Sequence, residues 1–236
     1  MRAPQIVPVS QNRLLAAIPP EELERLAPHF EHVSLVFREP LFEAGDLTEF
    51  VYFPLDGMIS LIASTKNGSF IEVGIIGKEG MTGVPVVLGD DISSLRGVVQ
   101  APGSALKLSA TVLKEELHRE AELRSVLLRY SRFALAQTTQ SAVCNRLHSL
   151  DQRCARWLLG VRDRVDSDTF PMTHEFLADM LGVRRAGVTV AAQSLQQAGL
   201  IRYARGQLTI LNTDGLEAVA CECNRVLKNE LARLLG

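Results

Sequence analysis

The sequence predicts an α+β fold in which a β-rich domain of the double-stranded β-helix or jelly-roll type precedes a long helix and a winged helix-turn-helix. Apolar residues recur with a period close to two between Val33 and Leu108, which is typical of strands. After Ser109 the period changes to three or four, which is typical of helices. A glycine-containing turn between two short helical stripes, within residues 173–205, predicts the helix-turn-helix.

Composition places the chain among globular proteins. Hydrophobic residues make up 47% and charged residues 22% of the 236, which excludes a disordered chain. No stretch reaches the roughly 18 to 20 apolar residues that a membrane span needs. The first twenty residues lack the basic and apolar regions of a secretion signal, and four cysteines do not form a disulfide scaffold. We therefore expect a cytoplasmic protein with no membrane partner.

The β-rich half consists of short apolar runs separated by Gly, Pro and Asp. Asn67-Gly68, between two such runs, is typical of a tight hairpin turn. Many short strands at regular spacing predict an antiparallel sandwich or jelly roll. The predicted strands are Val33 to Phe37, Val51 to Pro54, Met58 to Ala63, Phe70 to Ile76, Val84 to Leu88, Val98 to Ala101 and Ala105 to Leu108.

A seam of seven residues, alternately four and three apart, follows in the helical half. This spacing is typical of two helices that pack along their length, and polar Gln137 and Ser141 favour a fixed register between two copies. The alternative is a helix that packs on its own β-domain. The predicted dimer interface is Leu123, Leu127, Tyr130, Ala134, Gln137, Ser141 and Cys144.

The segment Thr173 to Arg205 carries the strongest functional pattern. Thr173 is expected to cap a first helix, and Gly182 to form the turn, where positive φ is needed. A second helix is expected from about Arg184 to Gln197, and Gly199 to Ile210 reads as a two-stranded wing. Residues 173–205 contain four Lys or Arg and two Asp or Glu, a modest basic excess.

A second helix that starts with two arginines and small residues is suited to enter a DNA groove, although a solvated helix end is the alternative for the arginine pair alone. His174 is expected to contact phosphate or to lie on the surface. The predicted DNA contacts are Thr173, Arg184, Arg185, Gly187, Thr189, Gln193 and Arg205.

The chain resembles the CRP/FNR superfamily of bacterial transcription regulators. The resemblance rests on Gly45-Asp46, Val51 to Pro54 and Gly57 in the β-domain, and on Thr173 to Ile201. It implies a sensor domain over residues 1–120, a dimerisation helix over 121–150 and a DNA-binding domain over 151–236. It also implies a homodimer on double-stranded DNA with half-sites about 10 bp apart, and contact with RNA polymerase.

The sequence departs from the cyclic-nucleotide binders of that family. Val84 stands where the ribose-binding glutamate is expected, and Arg96 is followed by Gly97 instead of Ser or Thr. A phosphate without its arginine partner loses a charge-assisted bond, so we expect an effector other than cyclic AMP, or none. The candidate effector residues are Gly83, Val84, Arg96, Thr138 and Thr139.

The operator should also differ from the cyclic-AMP type. Arg185 matches the first arginine of the family's recognition helix, whereas Ala186 and Val190 replace an acidic and a basic residue.

Metal and enzyme sites are not expected. Cys221 and Cys223, two apart on a predicted helix, would point to different faces, and Cys144 with Cys154 is no better placed. No nucleophile elbow or dinucleotide fingerprint occurs, so we predict no enzyme and no cofactor. The alternative to a regulator is a ligand-binding or protein-interaction module whose helix-turn-helix serves assembly.

Overall fold

The computed structural model describes residues 9–235, which form ten helices and ten strands besides two short 3₁₀ turns. The helices are α1 (Arg13–Ala16), α2 (Pro20–Leu26), α3 (Val84–Leu88), α4 (Ala110–Arg119), α5 (Ala121–Leu147), α6 (Leu150–Val165), α7 (His174–Leu181), α8 (Arg185–Gln197), α9 (Thr213–Val219) and α10 (Cys223–Leu235). The strands are β1 (Glu31–Leu35), β2 (Pro40–Phe42), β3 (Phe50–Pro54), β4 (Met58–Ser64), β5 (Phe70–Ile76), β6 (Arg96–Ala101), β7 (Gly103–Ser109), β8 (Thr169–Pro171), β9 (Ile201–Ala204) and β10 (Gln207–Ile210).

Two compact units divide the chain. The first comprises the described parts of Met1–Leu61, Ile75–Leu135 and Leu231–Gly236, and the second comprises Ile62–Gly74 and Ala136–Glu230. Helix α5 contributes residues to both. The second unit therefore includes the tip of the β4–β5 hairpin besides the C-terminal helices. The three-part division expected from the sequence stays a prediction.

Two sheets build the β-domain, with the strand orders β1-β7-β3 and β2-β6-β4-β5. The β1–β7 and β3–β7 pairs are antiparallel, and Phe53 lies opposite Leu106. Leu35, Ile59, Ile76 and Val99 form a buried core cluster. The predicted jelly-roll type of domain, with a long helix and a helix-turn-helix after it, is confirmed.

One predicted strand is wrong, because Val84–Leu88 is helix α3. Gly83 and Gly89 flank this segment with φ of 83° and 89°, and Pro85 lies in the first turn. Proline is favourable there, since the first turn needs no amide donor from it. A short apolar run does not by itself distinguish a strand from a buried helix. Strand β2 was not predicted.

The predicted seam along α5 faces the interior of the chain. Six of its seven residues are buried and Ala134 is half-buried. Tyr130 Oη donates to Met81 O at 3.0 Å, and the amide of Leu123 donates to Glu22 Oε2 at 2.7 Å. The face that the sequence predicts as a dimer interface is therefore packed within one chain, and its periodicity reflects that packing. The residues concerned are Leu123, Leu127, Tyr130, Ala134, Gln137, Ser141 and Cys144.

None of the helices in the described residues combines the length and apolarity that a membrane crossing requires.

Asn12 joins the N-terminal helix to the β-domain. Its side chain is fully buried, and Nδ2 donates to Pro54 O at 2.8 Å and to Gly80 O at 2.9 Å. Its Oδ1 accepts from the amide of Leu15 at 3.0 Å, which caps α1. Both Nδ2 hydrogens and Oδ1 of the Asn12 side chain are thus hydrogen-bonded inside the protein.

We predict that Asn12→Ala lowers the free energy of unfolding by about 2–4 kcal/mol, because it leaves buried backbone groups unpaired. Chemical denaturation measures the change. Asp90→Ala is the matched control, since Asp90 Oδ1 accepts an exposed hydrogen bond from Ile92 N in the same unit and should cost less than about 1 kcal/mol. Equal losses in the two variants would contradict the role assigned to Asn12.

Candidate nucleic-acid interface

Helix α7 begins and ends at the residues that the sequence predicts. Thr173 Oγ1 accepts a hydrogen bond from the amide of Phe176 at 3.1 Å. Gly182 ends the helix with a φ of 62°, and the amide of Val183 donates to Ala178 O at 3.0 Å. The left-handed conformation favours glycine here. This turn sets the direction of α8.

Gly182 is also required by packing within the second unit. A Cβ built on Gly182 would lie 2.7 Å from Cδ1 of Ile71, in the β4–β5 hairpin tip. The same hairpin contacts α6, because Trp157 Nε1 donates to Glu72 Oε1 at 2.8 Å. The sequence predicts the hairpin and the glycine separately, but no local pattern shows that they touch.

The inner face of α8 holds it against its neighbours. The contacts of α8 with α7 and α6 use small and medium apolar side chains, so the helices lie close together. The buried residues of α8 are Val188, Ala191, Ala192 and Leu195. Buried Arg153 in α6 donates through Nη2 to Leu181 O, at the end of α7. Contacts of α8 with α7 and with α6, and the hydrogen bond from α6 to the end of α7, thus fix the position of the helix-turn-helix.

The outer face of α8 is exposed and basic at its start. Arg184 is the N-cap, and both Arg184 and Arg185 are exposed. Ala186, Val190 and Gln193 continue this surface along the helix, at a spacing that keeps them on one side. Helix α8 contains no acidic residue. Its positive dipole end therefore adds to the two guanidinium charges.

Two of the predicted contact residues, Gly187 and Thr189, also make contacts within the second unit. A Cβ on Gly187 would lie 3.0 Å from Cδ2 of Leu150, so this glycine permits close packing on α6. Thr189 Oγ1 donates to Arg185 O at 3.1 Å and lies 3.0 Å from His174 Nδ1. The hydroxyl of Thr189 is therefore engaged inside the unit.

His174 connects α7, α8 and the wing. Since Thr189 Oγ1 donates its proton to the backbone, His174 Nδ1 donates to Thr189 Oγ1. The imidazole packs edge-on against Tyr203, with the ring centroids 4.7 Å apart. Burial lowers the pKa of His174, and the nearby charge of Arg185 lowers it further. The expectation of a plain surface residue or phosphate contact missed this internal role.

The wing is the hairpin of β9 and β10. Ala204 pairs with Gln207, so Arg205 and Gly206 form a two-residue turn. Both have positive φ, 52° and 77°, which is the pattern of a type I′ turn. Arg205 is exposed at the tip. Strand β8, which the sequence did not predict, pairs with β10 and completes a three-stranded sheet.

The candidate effector residues of the β-domain do not form a phosphate site. Arg96 Nε pairs with Glu43 Oε1 at 3.0 Å, so its guanidinium already has a carboxylate. A Cβ on Gly97 would lie 2.3 Å from Phe42 Cε1, which leaves no room for a serine or threonine. Gly83 supports the left-handed start of α3, and Val84 is half-buried there.

The other two candidate effector residues, Thr138 and Thr139, are exposed on the part of α5 that belongs to the second unit.

A groove of about 430 Å³ lies elsewhere in the first unit. Its lining includes the carboxylates of Asp46 and Glu49, and none of the lining residues is a cation. An anionic nucleotide would meet like charge in this groove. The lining residues are Leu41, Phe42, Asp46, Leu47, Thr48, Glu49, Phe50 and Tyr52.

We predict that His174 makes stability depend on pH. Its pKa is lower in the folded chain than the ordinary value of 6.5, so the unfolded chain binds the proton more tightly and stability falls as the pH drops below about 6.5. Denaturation of the wild type and of His174→Gln between pH 7.5 and 5.5 measures this. The wild type should lose stability relative to the variant on acidification, and parallel curves would contradict the assignment.

Comparison with known proteins agrees with this geometry. Residues 152–219 match the Crp-like helix-turn-helix domain family. No curated protein sequence matches the chain. Among solved structures, FixK2 from Bradyrhizobium japonicum has 15% sequence identity and a TM-score of 0.70, and the match covers 81% of this chain and 98% of that chain.

Two further solved structures share the fold. TTHA1359, a transcriptional regulator of the CRP/FNR family from Thermus thermophilus, has 21% identity and a TM-score of 0.66 over 80% of this chain and 98% of that chain. The c-di-GMP responsive regulator CLP from Xanthomonas campestris has 17% identity and a TM-score of 0.65 over 81% and 99%. The predicted resemblance is confirmed: residues 152–219 match the Crp-like helix-turn-helix domain family, and the chain shares its fold with solved regulators of the CRP/FNR family.

Proposed function

We propose that this chain is a DNA-binding transcription regulator that acts as a homodimer on a two-fold symmetric operator. The observation that carries the proposal is the outer face of α8, where Arg184 and Arg185 are exposed at the positive end of the helix and no acidic residue follows. In helix-turn-helix proteins the N-terminal residues of the second helix contact base edges in the major groove. The Crp-like family match to residues 152–219 supports the same function.

Three predicted contact residues remain exposed on α8, namely Arg184, Arg185 and Gln193. An arginine can bind guanine O6 and N7 with two hydrogen bonds, and a glutamine can bind adenine in the same way. Ala186 and exposed Val190 are small or apolar, and such side chains contact the thymine methyl group. We therefore assign direct base reading to this face of α8.

The wing supplies a backbone contact. Arg205 lies at the exposed tip of the β9–β10 hairpin, and Arg202 is exposed on β9. Arginines on such a tip suit phosphate, which positions a protein on DNA without reading its sequence. Thr173, the exposed N-cap of α7, lies at a second helix start where phosphate binding is favourable. Because the basic excess is modest, non-specific binding should be weak and reduced by salt.

We assign the dimer interface to the exposed face of α5 instead of its buried seam. Four large apolar side chains are exposed along this single helix, each seven, eight or four residues from the next. They are Leu128 (44%), Leu135 (68%), Val143 (39%) and Leu147 (71%). An apolar stripe of this kind is unfavourable in water and is typical of an interaction surface. Two copies of α5 would bury it as a coiled coil.

The effector is proposed to differ from cyclic AMP, or to be absent. The pairing of Arg96 with Glu43 and the close contact of Gly97 with Phe42 both argue against a cyclic phosphate in the β-domain. The fold is shared with a regulator described as responsive to c-di-GMP, so a different effector is compatible with this architecture. A ligand that binds one conformation better than another would shift the population of DNA-competent dimers.

We predict that Arg185→Ala weakens binding to the preferred operator by about 1–3 kcal/mol, because a bidentate contact to guanine is lost. Selection of bound genomic fragments identifies the operator, and titration on operator and scrambled duplexes measures the loss. Arg225→Ala, an exposed arginine on α10, changes the net charge equally and should leave the preference intact.

Equal losses of Arg185→Ala on operator and scrambled DNA would show that Arg185 contacts only phosphate. Selection that enriches no symmetric sequence would instead favour the interaction-module alternative.

We predict that Leu135→Asp converts the wild-type dimer into a monomer, because two carboxylates would be buried against each other at the α5 interface. Light scattering coupled to gel filtration measures the mass. Leu211→Asp is the control, since Leu211 is 53% exposed and lies outside α5. A monomeric wild type, or a dimeric Leu135→Asp, would contradict the assigned interface.

A further inference from the structure

Four metal-binding side chains converge in the second unit. Cys144, His148, Cys221 and Cys223 place three Sγ atoms and an imidazole nitrogen within 4.8 Å of one another. The three cysteines are buried and His148 is half-buried. In the described residues 9–235 this is the one group of its kind. The three cysteines also form a buried core cluster, and none of the four residues is among the proposed DNA contacts.

The prediction that Cys221 and Cys223 point to different faces is wrong, because they do not share a helix. Helix α9 ends at Val219 and α10 begins at Cys223, so Cys221 lies in the connecting segment. The non-helical backbone allows both Sγ atoms to face the same point. Cys144 and His148 are four residues apart, and the amide of His148 donates to Cys144 O at 3.2 Å as in a helix. Residues at this spacing lie on one helix face.

The distances suit one tetrahedral ion. The Sγ atoms of Cys144 and Cys221 are 3.5 Å apart, and Cys223 Sγ lies 3.5 Å from His148 Nδ1. A tetrahedral zinc ion with Zn–S bonds of about 2.3 Å holds its sulfur ligands about 3.8 Å apart. All four cysteines of the chain are free, so none of the three is committed to a disulfide. The ligand atoms thus need only small shifts to bind an ion.

Two further side chains, Glu222 and Gln140, contact the candidate ligands in the way that outer partners do, which bind the ligands of a metal and not the metal itself. His148 Nε2 lies 3.3 Å from Glu222 Oε1, which orients the ring with Nδ1 towards the sulfur atoms. Gln140 Nε2 donates to Cys223 Sγ at 3.0 Å. A carboxylate on the distal nitrogen of a ligating histidine, and hydrogen bonds to the ligands, are regular features of metal sites.

We propose that Cys144, His148, Cys221 and Cys223 bind one Zn²⁺ ion in a closed structural site. Zinc favours tetrahedral coordination by thiolate and imidazole, and structural sites use four protein ligands with no open position. The ion connects the end of α5 with the start of α10, across 77 residues of chain between Cys144 and Cys221. Binding displaces the protons of the three thiols to solvent, so the step involves no oxidation or reduction.

Metal analysis of the full-length chain tests the proposal. Protein purified under reducing conditions with added zinc chloride should hold about one zinc per chain. Replacement by Co²⁺ should give thiolate-to-cobalt charge-transfer absorption and the intense visible bands of a tetrahedral ion. These wild-type spectra do not depend on the folding of any variant, and they are measured without DNA. Failure of this test therefore leaves the proposed regulator function untouched.

Matched serine variants locate the site. Cys144→Ser and Cys223→Ser should each lower the retained zinc at least tenfold. Cys154→Ser is the control, because Cys154 is fully buried in the same unit but lies outside the cluster, and it should retain the wild-type zinc content. Glu222→Gln should weaken zinc affinity by about 10- to 100-fold, as loss of an outer partner does. Chelation should lower the melting temperature of the wild type and of Cys154→Ser.

Three results would overturn the proposal. One is zinc content in the wild type no higher than in Cys144→Ser. Another is a cobalt spectrum without thiolate charge-transfer bands. The third is recovery of Cys144 and Cys221 as a disulfide together with failure of the reduced chain to bind cobalt, which would make the pair a redox switch.

Discussion

The close approach of α7 and α8 at Gly182 is the constraint on which the rest of the second unit depends. Positive φ at this residue turns the chain, and the missing Cβ makes space for Ile71 of the hairpin. Any side chain there would strain the backbone and push the hairpin away. Because the turn directs α8, it also determines that Arg184 and Arg185 face solvent. The basic surface is thus a consequence of backbone geometry as much as of charge.

Much of the fold follows from local patterns in the sequence. The cap at Thr173, the turn at Gly182 and the wing turn at Arg205-Gly206 are each encoded within a few residues, and the structure places them as expected. Val84–Leu88 failed because valine-rich composition favours a strand, whereas flanking glycines and Pro85 favour a helical turn. Five residues are too few for periodicity to decide between the two.

Local sequence patterns were less informative about which distant residues pack against a given helix face. The spacing along α5 correctly indicates that one face is buried, but it does not say whether a second copy or the same chain buries it. Contacts of Tyr130 with Met81 show that the same chain does. The internal contacts of Gly187 and Thr189 were not predicted for a similar reason, since Leu150 and His174 are distant in sequence. The Cys/His cluster joins residues 77 apart, and no local spacing predicts such a meeting.

At the wing tip, the backbone conformation of Arg205 favours another residue type, whereas the positive charge requires an arginine or lysine. A left-handed conformation costs an ordinary residue about 1–2 kcal/mol relative to glycine, yet Arg205 adopts it with a φ of 52°. Asparagine or glycine would suit this turn better, but neither carries a cation. A substitution that relieves this strain would also remove the only charge in residues 204–207. Efforts to make this protein more heat-resistant should leave that position unchanged.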